Sequence, residues 1–274
     1  MKKFLHYVLL PLALLLTFYF GGLYFFQEYL YLNPDKVYMS PKEAKTPEFE
    51  EKVIRTRTGV QMMTWYAEGQ KNKPAILFFH GNRGQIATVA PHLSRYVTAG
   101  YTVMIPEYQG YAETKGKFTQ DNVYRDGVHA YDYLKKQGHT EIFVFGYSMG
   151  TSVAAFVASQ KRAYGLILAA PFYSLKKLVS EKQYPFAELV LKNEMPTDSH
   201  IRKYYNPTLI IHGEEDTLIP SYHGKELFVI SPAKDKKLTI VPKTNHGDLF
   251  FTQGGHLDIL KWIKEHERVQ STYP

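Results

Sequence analysis

The residues best suited to chemistry form the pentapeptide 146–150, Gly-Tyr-Ser-Met-Gly. It follows the apolar run 142–145 and precedes a stretch of small residues, 151–159. This order predicts a strand, a tight turn and a helix, with the hydroxyl of Ser148 pointing away from the sheet edge. The two glycines let the backbone pass without a Cβ clash. The pattern indicates a nucleophilic serine; the alternative is an inert serine in a glycine-rich turn.

A serine hydroxyl becomes a good nucleophile when a neutral imidazole accepts its proton, and that imidazole needs a carboxylate to fix its tautomer. Asp216 follows the apolar run 208–211, and His246 follows the run 238–241. We expect both loops to leave the sheet at the same strand end as Ser148. The chain order serine, aspartate, histidine is the one used by hydrolases with this type of turn. The three residues are therefore predicted to form a catalytic triad.

Other titratable residues offer alternatives to these partners. Glu215 and Asp198 are the rival acids. His256 is the rival base, but we expect it in a helix whose apolar stripe leaves it at the surface. His80 and His212 follow predicted strands, yet neither has a second histidine two or four residues away, so neither is predicted to bind a metal. No metal and no cofactor are expected.

The segment 79–84, Phe-His-Gly-Asn-Arg-Gly, follows the apolar run 75–79 and leads into a predicted helix. It lacks the Gly-Lys pair of a phosphate loop. We expect half of an oxyanion hole instead. When Ser148 attacks a carbonyl, negative charge develops on the oxygen, and the backbone amides of Met149 and Asn82 would donate to it. The alternative is a plain strand-to-helix turn.

Short apolar runs alternate with segments of helical spacing along the rest of the chain. The runs, typical of parallel strands buried on both faces, are 75–79, 101–105, 142–145, 165–168, 208–211 and 238–241. The helical segments are 86–99, 122–136, 149–161, 221–229 and 255–267. The alternation predicts an α/β fold with a mostly parallel sheet covered by helices. A hairpin with arms 52–57 and 60–66 is predicted to precede it.

The N-terminal segment 4–26 contains no Asp, Glu, Lys or Arg. As a helix it is long enough to cross a hydrocarbon core of about 30 Å. We predict a transmembrane signal-anchor helix over 1–32, a linker over 33–47 and one α/β domain over 48–274. A cleaved signal peptide fits less well, because the apolar run is long and no small-Xaa-small cleavage site follows it.

Charges beside this segment predict its orientation. Lys2 and Lys3 precede it, whereas Glu28 and Asp35 follow it before the first cation, Lys36. The positive-inside rule puts the N-terminus in the cytosol and the domain in the periplasm or another extracytoplasmic space. The net charge of +7 is scattered along the chain, which disfavours nucleic-acid binding and leaves contacts with anionic lipids as a lesser alternative. The chain has no cysteine, which removes thiol chemistry.

Taken together, these motifs resemble the α/β-hydrolase superfamily, and within it the Bem46-like serine hydrolases that include the ABHD13 and ABHD17 groups. The resemblance is carried by segments 79–84, 107–111, 126–134, 146–150, 212–220 and 245–246. It implies an α/β-hydrolase fold with helices on both faces of the sheet and a short helical cap. It also agrees with the roles assigned to Ser148, Asp216 and His246. Related proteins usually have an arginine where Gln109 stands, in a loop that borders the active-site mouth.

In this fold an insertion such as 172–206, hereafter the cap, forms a lid. Its apolar residues recur at helical spacing, which predicts packing against the core. In addition, Phe172, Tyr173, Leu189 and Met195 are predicted to line an apolar tunnel for an acyl chain.

The predicted function is therefore an esterase or thioesterase acting on small-molecule or lipid acyl esters near a membrane. It would form an acyl-enzyme on Ser148, which water activated by His246 then hydrolyses. One alternative is a serine peptidase or amidase that uses the same triad. The other is a membrane-tethered binding module with a silent triad.

Overall fold

The computed structural model describes residues 5–31, 37–56, 59–112, 114–182 and 185–267. Within these residues one sheet is built from eight strands: β1 Glu50–Arg55, β2 Gln61–Ala67, β3 Ala75–Phe79, β4 Thr102–Pro106, β5 Ile142–Tyr147, β6 Gly165–Ala169, β7 Thr208–Gly213 and β8 Lys236–Val241. Their order is β1-β2-β4-β3-β5-β6-β7-β8. Strand β2 is antiparallel to both of its neighbours, and β3 to β8 are parallel. The predicted, mostly parallel sheet is confirmed.

Helices cover both faces of this sheet, as predicted. The α-helices of the described residues are α1 Leu10–Tyr31, α2 Ile86–Thr98, α3 Gln120–Lys136, α4 Gly150–Lys161, α5 Leu175–Ser180, α6 Thr197–Ile201, α7 Tyr222–Ile230, α8 His246–Phe251 and α9 Gln253–His266. Side chains of α3, α4 and α7 share one apolar cluster, and those of α2, α8 and α9 share another. Strand β3 contributes side chains to both clusters, because successive residues point to opposite faces of the sheet. Leu77 and Phe79 belong to the first cluster, and Ile76 and Phe78 belong to the second.

Local signals explain where these helices begin and end. Thr119 precedes α3, and its Oγ1 accepts a hydrogen bond from the Asn122 amide at 3.1 Å, which caps the first turn. Lys135 and Lys136 lie in the last turn, where cations favour the negative end of the helix dipole. Such caps fix the loops that leave the sheet at the ends of its parallel strands.

The predicted N-terminal and cap segments have the following structure. A π-helical turn, Leu5–Leu9, leads into α1, and the segment Tyr7–Gln27 that they share is long and apolar enough to cross a membrane. The cap contains α5, a 3₁₀ turn at Ala187–Val190, and α6. Residues 1–4, 32–36, 57–58, 113, 183–184 and 268–274 lie outside the described residues.

The prediction that His256 lies at the surface was wrong, since its side chain is fully buried. Its Nδ1 accepts a hydrogen bond from the Tyr96 hydroxyl at 2.8 Å, and its Nε2 donates to the Phe250 carbonyl at 2.5 Å. Burial, aided by the nearby charge of Arg95, lowers the pKa of His256 to about 3. The buried face of α9 runs through His256, Ile259 and Ile263, at helical spacings of three and four.

Replacing His256 with glutamine should flatten the pH dependence of stability. Because the folded-state pKa lies below the unfolded value, the unfolded chain binds a proton that the folded chain excludes. The native protein therefore loses stability as the pH falls from about 6.5 towards 3, by roughly 2 kcal/mol at about pH 5. Glutamine keeps one donor and one acceptor without titrating.

This expectation is checked by unfolding the protein at a series of pH values and comparing the slopes of free energy against pH. Leu257→Gln is the control, since Leu257 is an exposed neighbour on α9 and receives the same new side chain. The control should keep the native slope. Equal slopes for native, His256→Gln and control proteins would show that His256 is not the group that titrates.

Candidate active site

Ser148 occupies a strained turn between β5 and α4. Its φ of 53° lies in the left-handed region that non-glycine residues rarely adopt. A β-carbon on Gly146 would overlap the carbonyl oxygen of Gly150, and one on Gly150 would overlap the carbonyl oxygen of Phe79. The amide of Ser148 donates to the Ala169 carbonyl at 2.9 Å, which ties the turn to β6. Glycine is required on both sides because the backbones touch.

The structure brings Ser148, His246 and Asp216 into one hydrogen-bonded chain. His246 Nε2 lies 3.0 Å from Ser148 Oγ, and His246 Nδ1 lies 2.7 Å from Asp216 Oδ2. The carboxylate can only accept, so Nδ1 carries the proton and the lone pair of Nε2 faces the serine hydroxyl. This is the arrangement that lets an imidazole take the serine proton. Strands β5, β7 and β8 are parallel, so the loops that carry these residues leave the sheet at the same edge.

Asp216 is held by four donors. Its Oδ1 accepts from the amides of Leu218 and Ile219 at 3.0 and 2.8 Å, and its Oδ2 faces the ring nitrogens of His246 and His212, the latter at 3.3 Å. Burial on its own would raise the pKa of Asp216, but the hydrogen bonds from His212 and His246 and the charge of His246 outweigh it and hold the pKa well below its ordinary value. The carboxylate therefore stays ionised and able to orient His246.

His246 is the first residue of α8, whereas the sequence predicted a loop. Asn245 caps this helix, with its Oδ1 accepting from the Asp248 amide at 2.9 Å. The Tyr147 hydroxyl donates to the His246 carbonyl at 3.0 Å. The residue before the serine thus fixes the backbone that carries the histidine. Nothing in the sequence indicated this role for Tyr147.

The predicted oxyanion-hole residues, Met149 and Asn82, lie in the two segments that meet at Ser148. A β-carbon on Gly81 would lie 3.2 Å from Ser148 Cβ, so the loop after β3 passes directly over the serine. Asn82 lies in that loop, and the hydroxyl of Tyr111, from the segment after β4, is 3.1 Å from both its backbone oxygen and its side-chain oxygen. Met149 is the N-cap of α4, and amides in this position have no acceptor within their helix.

A buried pair that the sequence did not assign supports this loop. His80 is fully buried, with Nδ1 2.8 Å from the Gly81 carbonyl and Nε2 2.8 Å from Glu107 Oε1. Glu107 also accepts from the Ile86 amide at 3.1 Å, and the Tyr108 hydroxyl donates to the His80 carbonyl at 2.8 Å. These bonds tie the loop to the end of β4. Glu107 is the first residue of segment 107–111, which carries part of the family resemblance but was given no role in the sequence analysis.

The four predicted substrate-binding residues are not brought together. Phe172 and Met195 are buried in the same apolar cluster as Met149, and Tyr173 packs against it. Leu189 does not join them, because it lies in the 3₁₀ turn of the cap with 68% of its surface exposed. Leu189 therefore lines no tunnel here. The helical spacing of the apolar residues predicted that Leu189 faces the core with them, but the 3₁₀ turn directs its side chain to the surface.

The rival residues lie elsewhere. Glu215 is exposed, and Asp198 lies on α6, where its amide donates to the Tyr173 carbonyl at 2.9 Å. His256 is buried with Tyr96 and Phe250, as described above. A groove of about 500 Å³ includes Tyr173 in its lining, but the lining does not include Ser148, Asp216 or His246. Among these candidates, His246 is the base that reaches Ser148, and Asp216 is the acid that reaches His246.

Fold and site together define an α/β-hydrolase. Residues 70–199 match the Hydrolase_4 family, described as serine aminopeptidase, S33. The chain is 27% identical over 242 residues to the protein bem46 of Schizosaccharomyces pombe, covering 83% of this chain and 80% of that protein. It is 26% identical over 211 residues to the lysophosphatidylserine lipase ABHD12 of Xenopus tropicalis, covering 66% of this chain and 54% of that relative.

A solved structure shares the fold. The esterase Pf2001 of Pyrococcus furiosus superposes with a TM-score of 0.71 at 19% identity, covering 86% of this chain and 98% of that one. The chain belongs to the Bem46-like α/β-hydrolases and is a serine hydrolase.

Gly150→Ala should disrupt the site by displacing the turn from the loop after β3. The new β-carbon would meet the backbone of Phe79 and His80, which cannot rotate away as a side chain can. We expect a loss of about 3 kcal/mol in the free energy of unfolding, with a parallel loss of serine reactivity. Thermal and denaturant unfolding would measure it.

Gly254→Ala is the matched control, because a β-carbon there meets nothing within 4 Å and the residue is in a helix. Its stability should stay within about 1 kcal/mol of the native value. If both variants kept native stability and reactivity, the close approach at Gly150 would not constrain the turn.

Proposed function

We propose that this protein cleaves acyl ester or thioester bonds through a Ser148-His246-Asp216 triad. The observation that carries the proposal is the continuous chain of hydrogen bonds from Ser148 Oγ through the His246 ring to Asp216. In the first step His246 takes the serine proton while Oγ attacks the acyl carbon. The proton then passes to the departing alkoxide or thiolate, leaving an acyl-enzyme. Water then gives a proton to His246 and attacks the acyl carbon. The bond from that carbon to Ser148 Oγ breaks, His246 returns the proton to Oγ, and the carboxylic acid leaves.

The amides of Met149 and Asn82 are proposed to stabilise the negative oxygen formed in both steps. Their places beside Ser148 support this role, since one precedes α4 and the other lies in the loop that crosses the serine. The His80–Glu107 pair and the Tyr111 hydroxyl act as positioning groups for that loop. Preorganised donors of this kind commonly contribute several kcal/mol to transition-state stabilisation.

Ester chemistry is supported by the relatives, which include a lysophosphatidylserine lipase and, by fold, an esterase. We propose a small-molecule or lipid acyl ester as substrate, with Phe172 and Tyr173 near the acyl group. The second candidate is a peptidase or amidase that uses the same triad, which the description of the matching family favours. The two are separated by comparing ester and amide substrates that carry the same acyl group.

Ser148→Ala should abolish turnover of short p-nitrophenyl esters and labelling by a fluorophosphonate probe. Removing the nucleophile of a triad typically lowers kcat by roughly four to six orders of magnitude. Ser159→Ala is the control, since it makes the same change on α4 at a serine that bonds only the Phe156 carbonyl of its own helix. The control should keep both activities. Native-level hydrolysis by a folded Ser148→Ala protein would refute the mechanism, and a native protein that resists the probe would favour a silent binding module.

We further propose that the N-terminal segment, residues 1–32, anchors the hydrolase domain, residues 48–274, to a membrane. The length and apolar surface of α1 support the anchor. The basic pair Lys2 and Lys3 before it supports an extracytoplasmic domain.

Single cysteines can test this orientation, because the native chain has none. In spheroplasts of a bacterial host, Lys71→Cys in an exposed loop of the domain should react with a membrane-impermeant maleimide. Lys3→Cys should react only after the membrane is permeabilised. The reverse pattern would show that the domain faces the cytosol.

A further inference from the structure

The C-terminal turns of α1 pack against the cap. Leu23 is 7% exposed and forms an apolar cluster with Val179 and Ala187, with Phe20 at its edge. Positions 20, 23 and 27 share one face of a helix. That face is covered by protein, whereas Phe18, Phe25 and Phe26 on other faces are exposed. The anchor therefore has a side that contacts the cap and sides suited to lipid.

The side chain of Gln27 stabilises the contact between α1 and the cap by hydrogen bonds. Its side chain is 4% exposed, and its Nε2 donates to the Val190 carbonyl at 3.0 Å while its Oε1 accepts from the Lys192 amide at 2.7 Å. One turn earlier, the Tyr24 ring lies 4.1 Å from Lys192 Nζ. An amide side chain that satisfies a donor and an acceptor of another segment fixes both the depth and the rotation of that segment.

A further bond extends the contact along the helix. The Tyr19 hydroxyl donates to the Pro185 carbonyl at 2.8 Å. Tyr19 and Gln27 are eight residues apart, which is about 12 Å of helix. Both lie within the segment Tyr7–Gln27 that is long and apolar enough to span a bilayer. The cap segment 185–192 is thereby held beside the last nine residues of that span.

The same cap segment exposes two large apolar side chains. Phe186 is 62% exposed and Leu189 is 68% exposed. Exposed apolar residues that continue the surface of a membrane helix fit the acyl chains and headgroup boundary of a bilayer. Contact with lipid would explain why the Leu189 side chain is exposed and does not line a tunnel.

We propose that the cap is a membrane-contacting element, with Phe186 and Leu189 inserted in the leaflet beside the end of α1. The partner is the lipid bilayer itself, and the inference rests on the proposed anchoring by α1. The inner side of the cap contributes Phe172 and Met195 to the cluster that contains Met149, the neighbour of Ser148. A cap that contacts both the leaflet and this cluster favours acyl esters of membrane lipids as substrates.

Spin labels on single cysteines test the contact in the full-length protein. Nitroxides at Leu189→Cys, Phe18→Cys and Leu257→Cys would be compared in nanodiscs of phosphatidylethanolamine and phosphatidylglycerol. Leu257 is the matched control, because it is also a leucine, is 64% exposed and lies on α9, which packs on the other face of the sheet. Phe18, 78% exposed on α1, marks the span.

We expect the label at Leu189 to resemble the label at Phe18, with high accessibility to oxygen and low accessibility to a water-soluble nickel chelate. The label at Leu257 should show the opposite. If the Phe18 label is in lipid and the Leu189 label is in water, the cap contact is overturned while the anchor stands. If the Phe18 label is itself in water, the anchoring proposal fails and the inference fails with it. Neither readout depends on hydrolysis.

Gln27→Leu tests whether the hydrogen bonds of Gln27 hold the cap against α1. It removes both bonds to the cap while leaving α1 apolar, so the Leu189 label should gain mobility and nickel accessibility. Thr17→Leu is the control, since the Thr17 hydroxyl bonds only the Ala13 carbonyl of its own helix. An unchanged Leu189 label in Gln27→Leu would show that Gln27 does not hold the cap in place.

Discussion

The active site depends on the close approach of the turn 146–150 to the loop after β3. Gly150 lies against the carbonyl oxygen of Phe79, and Gly81 lies against the side chain of Ser148. No side chain fits between these backbones, so the serine is forced to a left-handed φ and its hydroxyl is directed at His246. The same contact brings together the two segments that carry Met149 and Asn82. The proposed nucleophile and the proposed oxyanion hole therefore both depend on one contact between two backbones.

Much of the fold and the central residues of the site could be predicted from the sequence. Runs such as 142–145 are continuous and apolar because strands in a parallel sheet are buried on both faces. Ser148, Asp216 and His246 each follow such a run, and parallel strands bring their ends to one edge. Both patterns are local in the sequence, and the parallel arrangement of the strands is enough to bring the three residues together.

What the sequence could not predict depends on contacts between distant segments. His256 is neutral and buried because Tyr96 and Phe250 satisfy its two nitrogens, and no local pattern reveals such partners. Glu107 and Tyr147 support the site through bonds to His80 and His246, which are far away in the chain. Leu189 shows the opposite case, in which an apolar residue with the expected spacing is turned outward by a short 3₁₀ turn. Periodicity predicts which residues are apolar, but tertiary packing decides what they face.

The bond between Gln27 and the cap backbone has a consequence for how this enzyme can be studied. A truncated version that starts after residue 31 would keep the sheet and its edge, since neither uses α1. It would lose the donor and the acceptor that hold Val190 and Lys192, and it would expose Val179 and Ala187 to water. Substrate preferences measured on such a soluble fragment would describe a protein with a loosened lid. Helix α1 is thus a structural part of the cap region, and selectivity is best measured on the intact chain.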